Sequence, residues 1–221
     1  MSTEPDKEAR LERAEPAKPE MTWFFDVVSP FSWLALPAVE AVAARHRVRF
    51  RPVVFGALLK HWGQIGPAEL APRRLQIYRN VQVRAEQMGI SLRFPPRHPF
   101  RSLEALRLLA ATAEPAQAAV HGTFAFVWEE GRDPSDPAEL ARLAERLGNP
   151  DPAEGRDRLR RWTDEAIAAG AFGVPTLQIG PELFWGADAM PLAEAYLADP
   201  GVLVRGELGR LAELPVGAER R

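Results

Sequence analysis

Met21-Thr22-Trp23-Phe24-Phe25-Asp26-Val27-Val28-Ser29-Pro30-Phe31-Ser32-Trp33-Leu34-Ala35 is the stretch around which the chain is organised. Trp23, Phe24, Phe25, Val27 and Val28 predict a strand buried on both faces of a mostly parallel sheet. Ser29-Pro30 ends it and announces a helix. Serine is a favoured N-cap, and proline fits the first helical position because its missing N–H would be unpaired there. Leu34, Pro37, Ala38, Ala41 and Val42 continue at helical spacing. A hydroxyl therefore stands at a helix N-terminus, where free N–H groups and the macrodipole favour negative charge. Ser29 either only caps this helix or also presents its hydroxyl to an anion.

Two later segments bear on that choice. In Ala171-Phe172-Gly173-Val174-Pro175-Thr176-Leu177-Gln178-Ile179-Gly180 a proline opens a short apolar strand, a position compatible with a cis Val174–Pro175 bond. Glu182-Leu183-Phe184-Trp185 reads as a strand paired to it through the Gly180-Pro181 turn. Gly186-Ala187-Asp188 then opens a helix over 190–197, with Asp188 as its N-cap or first-turn carboxylate.

With FFDVVSPFSWLA, FGVPTLQIG and ELFWGADAM in this order and a long helical stretch between them, the chain resembles the glutathione-dependent 2-hydroxychromene-2-carboxylate isomerases and the related kappa-class glutathione transferases. The resemblance runs from about Trp23 to Leu203. It implies a thioredoxin-like fold with a large all-helical insertion: a thioredoxin-like unit at 21–56 and 171–214, helices at 57–170, and tails at 1–20 and 215–221.

Composition narrows the chemistry. A net charge of −2 gives no electrostatic footprint for nucleic acid or an anionic membrane surface. There is no cysteine, which excludes disulfides, thiolate metal sites and thiol-disulfide exchange by the chain's own residues. Redox members of the wider superfamily use a cysteine pair where this chain has Ser29 and Ser32, so sulfur chemistry here needs sulfur carried by a ligand. Residues 1–20 are charged and lack large apolar groups, as in a flexible tail. No secretory h-region or membrane-length apolar run occurs, and a cytoplasmic protein is expected.

A second strand is expected over 48–55 and a loop over 57–67, followed by an amphipathic helix from Glu69 to Met88, with Arg73, Arg74, Arg79 and Arg84 mostly on its wet side, read as a solvated face, with pairing of one of them to a substrate carboxylate as the alternative. Leu92 to Phe100 is too proline-rich for regular structure and should run extended near the cleft. Helices follow at 102–112, 116–128, 136–147 and 152–170, and a short one lies within 202–214. His46, His98 and His121 stand without metal-ligand spacing, are read as structural, and suggest no metal.

The resemblance assigns roles. Ser29 would donate a hydrogen bond to glutathione sulfur, favouring the thiolate. Val174 and Pro175 would meet the tripeptide backbone, Asp188 its ammonium, and N–H groups near Ala187 its carboxylate. Gly63-Gln64 stands where the families have Gly-Asn, keeping the amide on a longer arm. Ala187 replaces the kappa-class Ser, removing one hydroxyl contact, and Ala189 stands where Arg is common. Trp33, Trp62, Trp185 and His61 would suit a small aromatic carboxylate, although His61 and Trp62 also read simply as packed loop residues. The implied protein is an isomerase, a homodimer by family expectation. The alternatives are conjugation of electrophiles by a kappa-class-like transferase and a non-enzymatic thioredoxin-like binding module.

Overall fold

A computed structural model of the chain describes residues 19–112 and 114–218. Most of the expected N-terminal tail and the last three residues of the C-terminal one lie outside this range. Four strands form one sheet in the order β2-β1-β3-β4, with β1 at Met21–Phe25, β2 at Val48–Pro52, β3 at Thr176–Ile179 and β4 at Glu182–Trp185. β1 is parallel to β2, with Trp23 opposite Phe50, but antiparallel to β3, with Trp23 opposite Leu177. β3 and β4 are antiparallel. The sheet is thus mixed rather than mostly parallel. Burial on both faces of β1, not strand direction, produces its continuous apolar run.

Helix α1 (Pro30–Ala43) follows β1, and α8 (Met190–Ala198) follows β4 after a 3-10 turn at Ala187–Ala189. Between β2 and β3 run α2 (Phe55–His61), α3 (Ala71–Met88), α4 (Leu103–Ala111), α5 (Gln117–Trp128), α6 (Pro137–Arg146) and α7 (Pro152–Ala168). A 3-10 stretch at Pro200–Val204 and α9 (Gly206–Leu211) complete the described chain. Phe124, Phe126, Val127 and Trp128 of α5 are fully buried with Trp23 and Phe25 of β1 in one core. Trp23 and Phe25 lie 4.6 Å apart ring to ring, and Phe25 and Phe124 5.5 Å.

Where capping is local, observed boundaries follow the sequence. Asp136 accepts N–H bonds from Ala138 and Glu139, Asp151 accepts one from Ala153, and Gly89 closes α3 in the left-handed conformation. α2 corrects the loop expected over 57–67. Its N-cap, Val54, has no side-chain cap, and the Phe55 N–H is taken by Asp26 Oδ2 at 3.0 Å, 29 residues away. β1 also ends at Phe25, short of the expected Val28, because the Asp26 carboxylate turns to accept the Val28 N–H. No described helix is long and apolar enough to cross a membrane.

Candidate active site

The junction between β1 and α1 is held from several elements at once. Asp26 Oδ1 accepts from Val28 N–H at 3.0 Å, Trp128 Nε1 donates to the Val27 carbonyl at 2.8 Å, and His98 Nε2 lies 2.9 Å from the Val28 carbonyl. A carbonyl only accepts, so Nε2 of His98 carries the proton. His98 Nδ1, left as an acceptor, lies 2.8 Å from the Tyr78 hydroxyl, whose one proton has both this nitrogen and the His98 carbonyl, at 2.7 Å, within reach. Burial pushes the Asp26 carboxyl up to about 6, against hydrogen bonds from Val28 and Phe55 N–H and the Ser102 hydroxyl. Burial likewise lowers the His98 pKa, opposed by its bond to Val28 and reinforced by the Arg74 charge.

These contacts hold the backbone that leads into Ser29, the N-cap of α1. Its Oγ accepts from Ser32 N–H at 3.3 Å and donates to the Val174 carbonyl only at 3.5 Å, the outer limit of a hydrogen bond. The donor is therefore weakly engaged. Across the gap, Val174–Pro175 is a cis peptide, and the Val174 N–H has no acceptor among the described residues. The Pro175 carbonyl accepts from Gly186 N–H at 2.9 Å. Trp185 lies over Gly173, where any Cβ would collide with its indole nitrogen, and its ring is 4.9 Å from that of Phe172.

Ser29 opens onto a cavity of about 790 Å³ that Gln64, Val174, Trp185, Ala187 and Asp188 also line. Asp188 sits in the 3-10 turn, exposed, and Ala189 rather than Asp188 precedes α8 at the N-cap position. Pro175 is not among the lining residues, and neither are Trp33, Trp62 and His61. Trp33 is core: it is 5% exposed, stacks 6.3 Å from Phe124 and donates Nε1 to the Ser91 carbonyl at 3.0 Å. Trp62 ends α2 and donates to the Ala171 carbonyl at 3.0 Å, with the exposed His61 ring 5.1 Å away. Among the described residues, no group of three or more His, Asp or Glu could hold a metal ion.

The family of DSBA-like thioredoxin domains matches residues 20–198. The chain belongs to that DsbA-like family. Its relatives include a 2-hydroxychromene-2-carboxylate isomerase of Sphingobium xenophagum, 28% identical over 80% of this chain and 97% of that protein. They also include glutathione S-transferase kappa 2 of Caenorhabditis elegans, 24% identical over 84% of this chain and 94% of the relative. A solved 2-hydroxychromene-2-carboxylate isomerase structure superposes with a TM-score of 0.66 at 26% identity, covering 87% of this chain and 96% of the other. The expected thioredoxin-like, DsbA-type fold is therefore the observed one.

In this DsbA-like chain Ser32 is fully buried and its hydroxyl has no partner among the described residues, so it does not reach the cavity. Asp26, Arg84, His98 and Arg101 line it as well: Arg84 comes from the α3 arginines, one of which is open to pairing with a substrate carboxylate, and His98 from the extended segment expected near the cleft, whereas Asp26 and Arg101 carry no role in the sequence reading. Asp26 left a signal: an ionisable residue inside an apolar strand must find partners. For His98 the sequence placed only its segment near the cleft; its contacts with Val28 and Tyr78 exist only in the fold.

Proposed function

We propose that the protein is a glutathione-dependent isomerase of a small aromatic carboxylate, resembling 2-hydroxychromene-2-carboxylate isomerase. The observation that carries this reading is the weakly engaged Ser29 hydroxyl at the start of α1, which shares one cavity with Val174, whose N–H has no acceptor among the described residues. The groups fit the tripeptide. Val174 offers a backbone donor, the amide of Gln64 can bind the glycyl end, and Asp188 has no cation partner among the described residues and can take the γ-glutamyl ammonium. Ser29 donates to the sulfur while the α1 dipole favours its charge, which holds a thiol of ordinary pKa near 8.5 partly ionised at neutral pH.

Glutathione held there would supply a thiolate for reversible addition to the conjugated double bond of the substrate, so that the bond could rotate while single and be restored on elimination without net redox change. Phe172 and Trp185 give the acid an aromatic wall. Similarity to named isomerases supports this activity over its transferase alternative. Cytoplasmic action, a homodimer, and a division into 21–56 with 171–214 and an insertion at 57–170 belong to the same reading.

The test combines glutathione titration with turnover. Glutathione at 100 times its dissociation constant should stabilise the protein by about 2.7 kcal/mol. Interconversion of 2-hydroxychromene-2-carboxylate and its ring-opened benzalpyruvate should then depend on glutathione. Conjugation of a general electrophile without interconversion would assign a transferase, and no glutathione affinity would leave a binding module.

A further inference from the structure

The cavity holds two cations that the glutathione contacts leave unused. α3 packs on α1 through Ile77, Val81 and Ala85, which meet Phe31 and Leu34. Gln76, Asn80 and Arg84 follow the same i, i+4, i+8 spacing, turned by about 100° on the helix, and this stripe forms a cavity wall. Of the α3 arginines only Arg84 lines the cavity. Arg74 is committed instead to the Ala68 carbonyl at 2.6 Å. Arg101 lines it as well, from the segment between the clamped His98 and the start of α4. Neither Arg84 nor Arg101 forms an ion pair among the described residues.

The cavity's carboxylates leave this pair free. Asp26 is occupied by two backbone N–H groups, Glu69 Oε1 accepts from Gly66 N–H at 3.1 Å, and Asp188, the third carboxylate of the lining, forms no ion pair with either arginine. The neighbouring wall is apolar and aromatic, with Phe31, Phe55, Phe172 and Trp185. An aromatic ring gains by entering such a space, but a carboxylate attached to it loses water and needs a cation in return. Guanidinium groups suit this task because their planar fork matches both carboxylate oxygens.

We propose that Arg84 and Arg101 form the subsite for the carboxylate of the aromatic substrate, with Gln76 and Asn80 beside them as neutral donors. The proposal rests on the cavity taking an aromatic acid beside Ser29, and it adds which residues select for the acid group. Because Gln64, Val174 and Asp188 account for the tripeptide, Arg84 and Arg101 should matter to the acid and not to glutathione.

The test uses the full chain with and without glutathione, and the variants R84Q, R101Q and the double variant, each checked for an unchanged melting temperature. One arm measures binding of the unreactive probe trans-cinnamate against cinnamamide. The other measures KM for the benzalpyruvate against its methyl ester, and the glutathione dissociation constant. Losing one charge-assisted contact should weaken cinnamate binding and raise KM for the acid roughly tenfold to a hundredfold. Binding of cinnamamide, KM for the ester and glutathione affinity should stay within about twofold. R84K should recover part of the loss, since it keeps the charge without the fork.

Equal losses for acid and amide, or cinnamate binding indifferent to both arginines, would overturn the subsite. Loss of glutathione affinity alone would also overturn it, by giving the arginines to the tripeptide. If turnover is absent while cinnamate binding still depends on Arg84 and Arg101, the isomerase reading fails and the subsite stands.

Discussion

Two walls of one cavity are built on different principles. At the β1–α1 junction, Val27, Val28 and the start of α2 are gripped by Trp128, His98 and Asp26, which are spread over the chain. The α3 wall instead rests on Val81 and Ala85 packed against Leu34, and turns exposed Gln76 and Asn80 and half-buried Arg84 toward the cavity. The first wall fixes one hydroxyl, and on the proposed function a small misplacement there would weaken a contact to ligand sulfur. The second presents long side chains whose reach tolerates different ligands. On the proposed function, orientation for chemistry and recognition of substrate fall to different walls.

The contrast is broken most strongly at Asp26. Asp26→Ala leaves the Val28 and Phe55 N–H groups buried without an acceptor, and should cost on the order of 3 kcal/mol in denaturant unfolding. A loss under about 0.5 kcal/mol would show that the junction is held by packing alone.

Titration gives the next effect. The Asp26 pKa in the folded chain, about 6, is raised above its unfolded value of 3.8, so its proton stabilises the folded state. That contribution is complete below pH 3.8 and is lost as pH rises through 6. The stability of the wild type relative to Asp26→Asn should therefore fall by on the order of 2 kcal/mol between pH 4 and pH 7. A difference that is flat across this window, or that rises, would contradict the buried environment assigned to Asp26.

Ser29→Ala should cost only ~1 kcal/mol of stability, the value of a cap, while kcat falls roughly tenfold to a hundredfold. Loss of stability with unchanged kcat would reduce Ser29 to a cap. The smallest change belongs to the other wall. Asn80→Ala should stay within about 0.5 kcal/mol of wild type, and a larger loss would mean that α3 is braced like the junction.

What was legible in the sequence follows the same division. α1, α6 and α7 carry their own N-caps in Ser29, Asp136 and Asp151, and α3 ends at Gly89. α2 was hidden because the carboxylate at its start comes from Asp26, just beyond the end of β1. The antiparallel pairing of β1 with β3 was hidden because a strand buried on both faces does not reveal its partners' direction. At the site, Ser29, Gln64, Val174, Trp185, Ala187 and Asp188 meet in one cavity. Trp33 and Trp62 do not, because their indole N–H groups are drawn to the Ser91 and Ala171 carbonyls, contacts 58 and 109 residues apart in sequence. The same long-range dependence concealed His98.

The central claim is that the Ser29 hydroxyl stabilises a ligand thiolate. Its most direct test follows the ultraviolet absorbance of bound glutathione thiolate against pH, in the wild type and in Ser29→Ala. The account predicts a bound thiol pKa at least one unit below the ordinary value near 8.5, and its return toward that value in the variant. A bound thiol that titrates at the ordinary value, or identically in both proteins, would contradict it.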